Sequence, residues 1–307
     1  MRCRRFTRLV VFLAGKPRPT LDVTQALAKV QLELRSPPES PALVRAALAG
    51  LAEQLEFDPH LLDDLKTAVS EACNNVVVHA YRDEPGPLVV ALAIDVDAIE
   101  VVVRDQGSGF GRVTPSGDRL GVGLPIINAL ADRVEFISAR GEGTEVRMEF
   151  IGRRVGKPPP PAIELESAGD VAVPVAGDVV VTVTSVTLLG GVLGRLARAV
   201  ASTVRFSLDR FSDLYLVADA INAYARGAAA SARISFAIKA EHKRLELTAG
   251  PFQAGSGARL LPDTTSGRPA SPLALLADGL AVERAGAVEM LRVVVADRSR
   301  GPAHEPV

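Results

Sequence analysis

Two cysteines among 307 residues, Cys3 and Cys73, are too few for a disulfide framework or a thiolate zinc site. A reducing cytoplasm suits such a chain. An excess of one charge is lacking too: 35 Lys and Arg stand against 36 Asp and Glu, a formal net charge of −1. That balance argues against a nucleic-acid or membrane-surface binder held by phosphate neutralisation. No stretch approaches the ~18 uninterrupted apolar residues of a membrane span. The opening MRCRRFTRLVVFLAG has the basic-then-apolar order of a secretory leader, but KPRPT follows in place of a small-residue cleavage site. Residues 1–27 are therefore expected to be a disordered extension.

What is present is core-forming material, 48% apolar, in a chain long enough for two domains. RRVGKPPPPAIELESAGD carries four consecutive prolines, which favour polyproline II and end any helix or central strand. The expected plan is a first domain over 28–152, a linker over 153–175, a second domain over 176–298 and a tail over 299–307. In the first domain KVQLELRS alternates as a strand, and Leu43, Ala47, Leu51 and Leu55 repeat at helical spacing. A second helix carries Leu61, Leu65, Ala68 and Ala72 on its apolar stripe. Two strands, a Gly-rich segment opening a third helix, and two closing strands complete an α+β sandwich. The second half repeats this order, with Phe206 lying over Phe57 and Leu214 over Leu65 at a constant offset of 149, as a diverged internal duplication would.

The second helix ends in TAVSEACNNVVVHAYRDE, where Glu71, Asn74, Asn75 and His79 share a face beside the apolar stripe. Either this is a solvated face or the polar groups converge on a ligand. An Asn oxygen is a hard neutral ligand suited to Mg²⁺, and a carboxylate one turn earlier can take a proton from an attacking hydroxyl. Asp105 follows a buried strand in VVVRDQGSGFG, where it either closes a simple Asp–Gly turn or accepts from an exocyclic amine such as adenine's. Gly107 and Gly109 let the backbone approach a flat ring. Gly121 and Gly123 precede a helix whose free N–H groups attract phosphate, with Arg119 at the edge of the turn. Thr144 begins the last strand, either capping a hairpin or offering its hydroxyl to a base or bound water.

E-x-x-x-N on a helix, D-x-G-x-G after a strand, G-x-G before a helix and G-T at the last hairpin together resemble the Bergerat ATP-binding fold. VSEACNNVVVHAY is very similar to the N-box of the bacterial anti-sigma-factor serine kinases, and PALVRAALAGLAEQL resembles their first helix. The resemblance covers residues 28–150. It implies two tandem Bergerat-type sandwiches, each with helices on one face of a mixed, mainly antiparallel sheet. It further implies Glu71 as general base, Asn75 as Mg²⁺ ligand with Asn74 beside it, and Asp105 reading adenine. Gly107 and Gly109 would lie beneath the ring, Thr144 would support it, and Gly121 and Gly123 would border the phosphates under a lid over 110–120. Arg45 falls where such kinases meet a sigma factor or its antagonist, though a solvated helix arginine reads the same way. His79 is expected to pack the helix.

The implied function is an ATP- and Mg²⁺-dependent serine/threonine kinase that phosphorylates a small antagonist and sequesters a sigma factor. The alternative is a non-catalytic, ATP-responsive binding switch. In the second half the Glu71 position falls on Ala220, or on Asp219 after a one-residue slip, and the Asn75 position on Tyr224 or Ala223. No Asp answers Asp105 and no G-x-G answers Gly121 and Gly123, so this half is expected to keep the fold without binding nucleotide. A fused, silent copy would make the chain a monomeric pseudo-dimer.

Overall fold

The computed structural model describes residues 9–14, 28–81, 84–109, 123–139, 141–152, 156–159, 173–204, 206–261 and 271–297. In chain order these form β1 (Leu9–Ala14), β2 (Ala28–Arg35), α1 (Ser40–Leu55), α2 (Pro59–Asn75), a π-helical turn (Val76–Ala80), β3 (Pro87–Ile94) and β4 (Ala98–Asp105). Then come α3 (Gly123–Leu130), β5 (Arg133–Ala139), β6 (Gly143–Ile151), β7 (Val179–Val183), α4 (Val186–Thr203) and α5 (Leu208–Ala228). β8 (Ile234–Glu241), β9 (Arg244–Gln253), a short 3₁₀ turn (Ser256–Arg259), α6 (Pro272–Leu276), β10 (Gly279–Ala285) and β11 (Val288–Ala296) complete the order.

Local chemistry sets the helix starts. The Asp58 carboxylate accepts from the backbone N–H groups of His60 and Leu61 at 2.8 and 3.3 Å, and Pro59 opens α2 where its missing N–H costs nothing. Ser185 caps α4 by accepting from Thr187 N at 3.3 Å, and Ser271 caps α6 by accepting from Ala274 N at 3.2 Å. α1 ends where Glu56 turns left-handed, at φ 53°.

All described strands belong to one sheet, in the order β1-β5-β6-β4-β3-β2-β7-β8-β9-β11-β10. Every pairing among them is antiparallel, where a mixed sheet was expected. The two sandwiches are therefore continuous: β2 pairs with β7 across the midline, placing Val30 opposite Val183, Leu32 opposite Val181 and Leu34 opposite Val179, all buried. The strand order runs outward from this seam in the same sense on both sides, and β-α-α-β-β-α-β-β recurs in each half. The expectation of a disordered start is corrected for Leu9–Ala14. This segment adds to β5, whose backbone N–H and C=O groups would otherwise face solvent as a bare edge. Residues 1–8 and 15–27, most of the linker and the tail from 298 lie outside the described residues.

The helix layer is joined at the same midline. α1 crosses α4 where Gly50 meets Gly191: a Cβ on Gly50 would stand 2.3 Å from the Gly191 carbonyl oxygen, and one on Gly191 would stand 2.5 Å from that of Gly50. Backbone blocks backbone there, so no side chain can swing aside. Arg195 bridges to Glu53 at 2.8 Å above this crossing, an exposed pair of small worth. Replacing Gly50 by Val must push the two helices apart. We expect a loss of about 2 kcal/mol or more, as in overpacked cores, read as a lowered midpoint in thermal unfolding of the whole chain. An unchanged midpoint would show that the crossing is looser than described.

Candidate functional site

The last turns of α2 gather the first polar groups. Leu61, Leu65, Ala68, Val69, Ala72 and Cys73 are buried, while Glu71 and Asn75, one turn apart, are half-buried at the edge of that stripe. Cys73 is packed away, and burial pushes its thiol up to about 12, which leaves it inert. Asn74 is exposed and does not line the cleft described below; its position turns it off the Glu71–Asn75 stripe.

α2 does not end in ordinary helix. Val76–Ala80 form a π-helical turn, a device common where a helix must re-aim side chains at a ligand. His79 is exposed and lines the cleft, correcting its expected role in helix packing. The turn ends where the Ala80 carbonyl accepts from Ser108 N at 3.0 Å. A Cβ on Gly107 would stand 2.2 Å from that same oxygen. Gly107 thus lets the strand-end loop close on the π turn, whereas Gly109 is the glycine that reaches the cleft wall. Gly109 has φ +59°, open to glycine and strained for most side chains.

Asp105 ends β4 at 7% exposure, its Oδ1 accepting from Gly107 N at 2.8 Å. Burial pushes its carboxyl above the ordinary range, opposed by hydrogen bonds from Gly107 and from the backbone and side chain of Thr144. Tyr81 pins this strand end: its hydroxyl accepts from Gln106 N at 2.8 Å and donates to the Pro87 carbonyl at 2.5 Å. Asp105, Thr144, Asn75, His79 and Gly109 line one cleft, with Val103, Phe136 and Val146 among its apolar walls. Its free volume is about 20 Å³, room for roughly one water. This is the floor of a site rather than a full nucleotide cavity.

Gly123 opens α3 directly against the other end of the cluster. A Cβ built on it would lie 3.1 Å from Glu71 Oε2 and 3.5 Å from both Asn75 amide atoms. The positive end of an eight-residue helix, a carboxylate and a neutral amide therefore meet. The Asn75 Nδ2 atom is buried without a hydrogen-bond partner among the described residues, a donor open to an acceptor such as a phosphate oxygen, while Oδ1 is the atom able to ligate a cation. Such a donor set suits Mg²⁺, which takes few protein oxygens and fills its shell with phosphate and water. Arg119, Gly121 and the expected lid over 110–120 lie outside the described residues. Arg45 is exposed on α1, and its Nη1 donates to Ser70 Oγ at 3.1 Å, one residue before Glu71.

In the second half α5 starts at Leu208, 149 residues after Pro59, which favours the unslipped alignment. Tyr224 then stands at the Asn75 position. Its hydroxyl meets Ser256 Oγ at 2.7 Å, and its ring lies 4.8 Å from that of Phe252. Glu289 accepts from Gly255 N and Gly257 N at 2.7 and 2.8 Å. These side chains bond to their own neighbours, and α6 has only five residues. Phe136 and the π turn are not legible in the sequence, and His79, placed there on the shared face but expected to pack the helix, lines the cleft instead.

The histidine kinase-like ATPase domain family matches residues 34–150. The serine-protein kinase RsbW of Bacillus velezensis is 36% identical over 141 residues, covering 41% of this chain and 88% of the relative. The anti-sigma F factor of Oceanobacillus iheyensis is 34% identical over 131 residues, covering 39% of this chain and 90% of the relative. A solved structure of the RsbU and RsbW domains of Rv1364c from Mycobacterium tuberculosis aligns at 21% identity and a TM-score of 0.32, covering 41% of this chain and 34% of that one. That overlap is too slight to bear on the fold. At 36% and 34% identity over most of each relative, the two sequence matches show that the chain belongs to the family of RsbW-type serine-protein kinases and anti-sigma factors.

Proposed function

We propose that the chain is a cytoplasmic, ATP- and Mg²⁺-dependent protein serine/threonine kinase that phosphorylates a small antagonist protein and holds a sigma factor. The nucleotide sits in the 28–152 domain. The observation that carries this reading is the meeting of Glu71, Asn75 and the α3 N-terminus at Gly123, at the edge of the cleft that Asp105 and Thr144 close.

Phosphoryl transfer needs little covalent chemistry from the protein and much positioning and charge stabilisation. Glu71 accepts the proton of the attacking hydroxyl. The Asn75 amide oxygen holds Mg²⁺, which supplies neutralisation of phosphate charge when bound. Asp105 accepts from the adenine amine, and Thr144, bonded to it, fixes the carboxylate's orientation. Gly109 keeps the wall low beneath the ring. The backbone N–H groups opening α3, with Gly121, Gly123 and Arg119, receive the phosphates. Arg45, beside the base-bearing turn, contacts the protein partner.

Residues 176–298 are read as a diverged duplicate without nucleotide, and the β2–β7 and α1–α4 seams support a pseudo-dimer within one chain. Calorimetry of the intact chain with ATP and saturating Mg²⁺ tests both statements. One nucleotide per chain is expected, with Asn75→Ala weakening binding about tenfold or more through loss of the metal ligand. No heat from any adenine nucleotide would overturn the proposal, and two sites per chain would overturn the silent second half.

A further inference from the structure

The face of the sheet turned away from the helices holds a second cavity, of about 660 Å³. Its size falls within the range of small-molecule sites. Strand alternation separates it from the nucleotide cleft: on β4, Val103 and Asp105 line that cleft, while Glu100 and Val102 line this cavity. Both halves build it. β2, β3 and β4 meet Val180 and Thr182 of β7 across the seam, and Val173, Pro174 and Val175 form part of its wall. A single half could not make it.

The registers lay its floor out in rows. Lys29 pairs with Ala93, and Ala93 with Glu100; beside them Gln31 pairs with Ala91, and Ala91 with Val102. The two alanine methyls of β3 leave a trough between Lys29 and Glu100, which stand two strands, about 10 Å, apart at the backbone.

Glu100 is 1% exposed, and its Oε2 is buried with no hydrogen-bond partner among the described residues. Among the described residues its other oxygen has a loose ion pair, 3.7 Å from Arg147 Nη1, while Arg147 is held tightly by Glu145 at 2.5 Å. Burial pushes the Glu100 carboxyl up; Arg147 opposes this, and Glu149 and Glu145 add to it. A buried carboxylate oxygen left open costs free energy that a donor from a ligand would recover. Across the trough, Lys29 uses its backbone N–H and C=O on Thr184, and its ammonium has no ion-pair partner among the described residues.

We propose that this trough binds a small zwitterion of the amino-acid or dipeptide class, its ammonium or guanidinium group on Glu100 Oε2 and its carboxylate on Lys29. The fusion of the two halves thereby gives the seam a ligand of its own, separate from the nucleotide.

The test is calorimetry on the full chain with the free L-amino acids and the dipeptide Ala-Ala, with putrescine and succinate as single-sign controls. At least one zwitterion should bind, and neither control should match it. Glu100→Gln and Lys29→Met should each weaken that binding about tenfold or more, as loss of a charge-assisted contact does. Ala93→Leu, which fills the floor without changing a charge, should abolish it. Each variant should still unfold in one cooperative transition, a control that does not depend on nucleotide, and Glu100→Gln, which removes a buried carboxylate, should melt at or above the parent. The proposal is overturned if no zwitterion binds at about 10 mM, far above typical metabolite affinities. It also fails if putrescine or succinate binds as tightly as the best zwitterion, or if binding survives the substitutions.

Discussion

The Glu71→Gln chain is expected to lose phosphoryl transfer by about 10²- to 10⁴-fold, the usual contribution of a positioned general base. Its ATP affinity should stay within roughly threefold of the parent, because the amide keeps the shape of the side chain and only the proton acceptor is lost. The geometry makes this separation sharp. Glu71 lies against the start of α3 at Gly123, beside Asn75, but does not line the cleft formed by Asp105, Thr144 and Phe136. On the proposed assignment, binding and chemistry are borne by different side chains. The measurement is transfer of labelled γ-phosphate to the protein partner captured in the presence of ATP, paired with calorimetry. Full transfer by the variant would remove Glu71 from the chemistry and leave the non-catalytic, ATP-responsive switch as the better account. Loss of transfer together with loss of ATP binding would make Glu71 a structural or binding group instead.

Local periodicity made much of the first half legible. The stripe Leu61, Leu65, Ala68 and Ala72 fixes which face of α2 is buried, and the phase of that stripe puts Glu71 and Asn75 at its rim. Asn74, one position before Asn75, turns by about 100° and leaves the stripe for an exposed position. His79 was harder still. Its spacing from Asn75 is right for ordinary helix, but the π turn over Val76–Ala80 resets the phase, and no propensity signals a π turn.

Long-range pairing was illegible for a different reason. KVQLELRS and DVVVTVTS each read as strands, yet nothing in their alternation says that Leu32 pairs with Val181. Nor does the sequence say that Gly50 and Gly191 meet; only the helix crossing, backbone against backbone, gives these two glycines a purpose. Glu100 lay unremarked in IEVVVRD, because an acid in a strand normally faces water. Only the surrounding structure shows it buried with an open oxygen.

Asp105→Asn is expected to lower ATP affinity about ten- to a hundredfold, the worth of a hydrogen bond to a charged acceptor. The amide oxygen can replace one acceptor, but its NH₂ meets the adenine amine donor to donor. The apo protein should respond in the opposite sense. Burial holds the Asp105 carboxyl above its ordinary range, with Gly107 and Thr144 only partly offsetting it. A carboxyl raised on folding contributes stability below its unfolded value and loses it as pH rises through the folded one. At neutral pH the charged form is therefore a burden on the empty fold that the Asn variant does not carry. Its thermal midpoint without nucleotide should equal or exceed the parent's at pH 7, and the parent should gain on it as the solution is acidified. With ATP and Mg²⁺ added the order should reverse, since only the parent is stabilised by tight binding. A variant that melts well below the parent at neutral pH without nucleotide would identify Asp105 as a structural turn residue. That result would remove the adenine contact from the site.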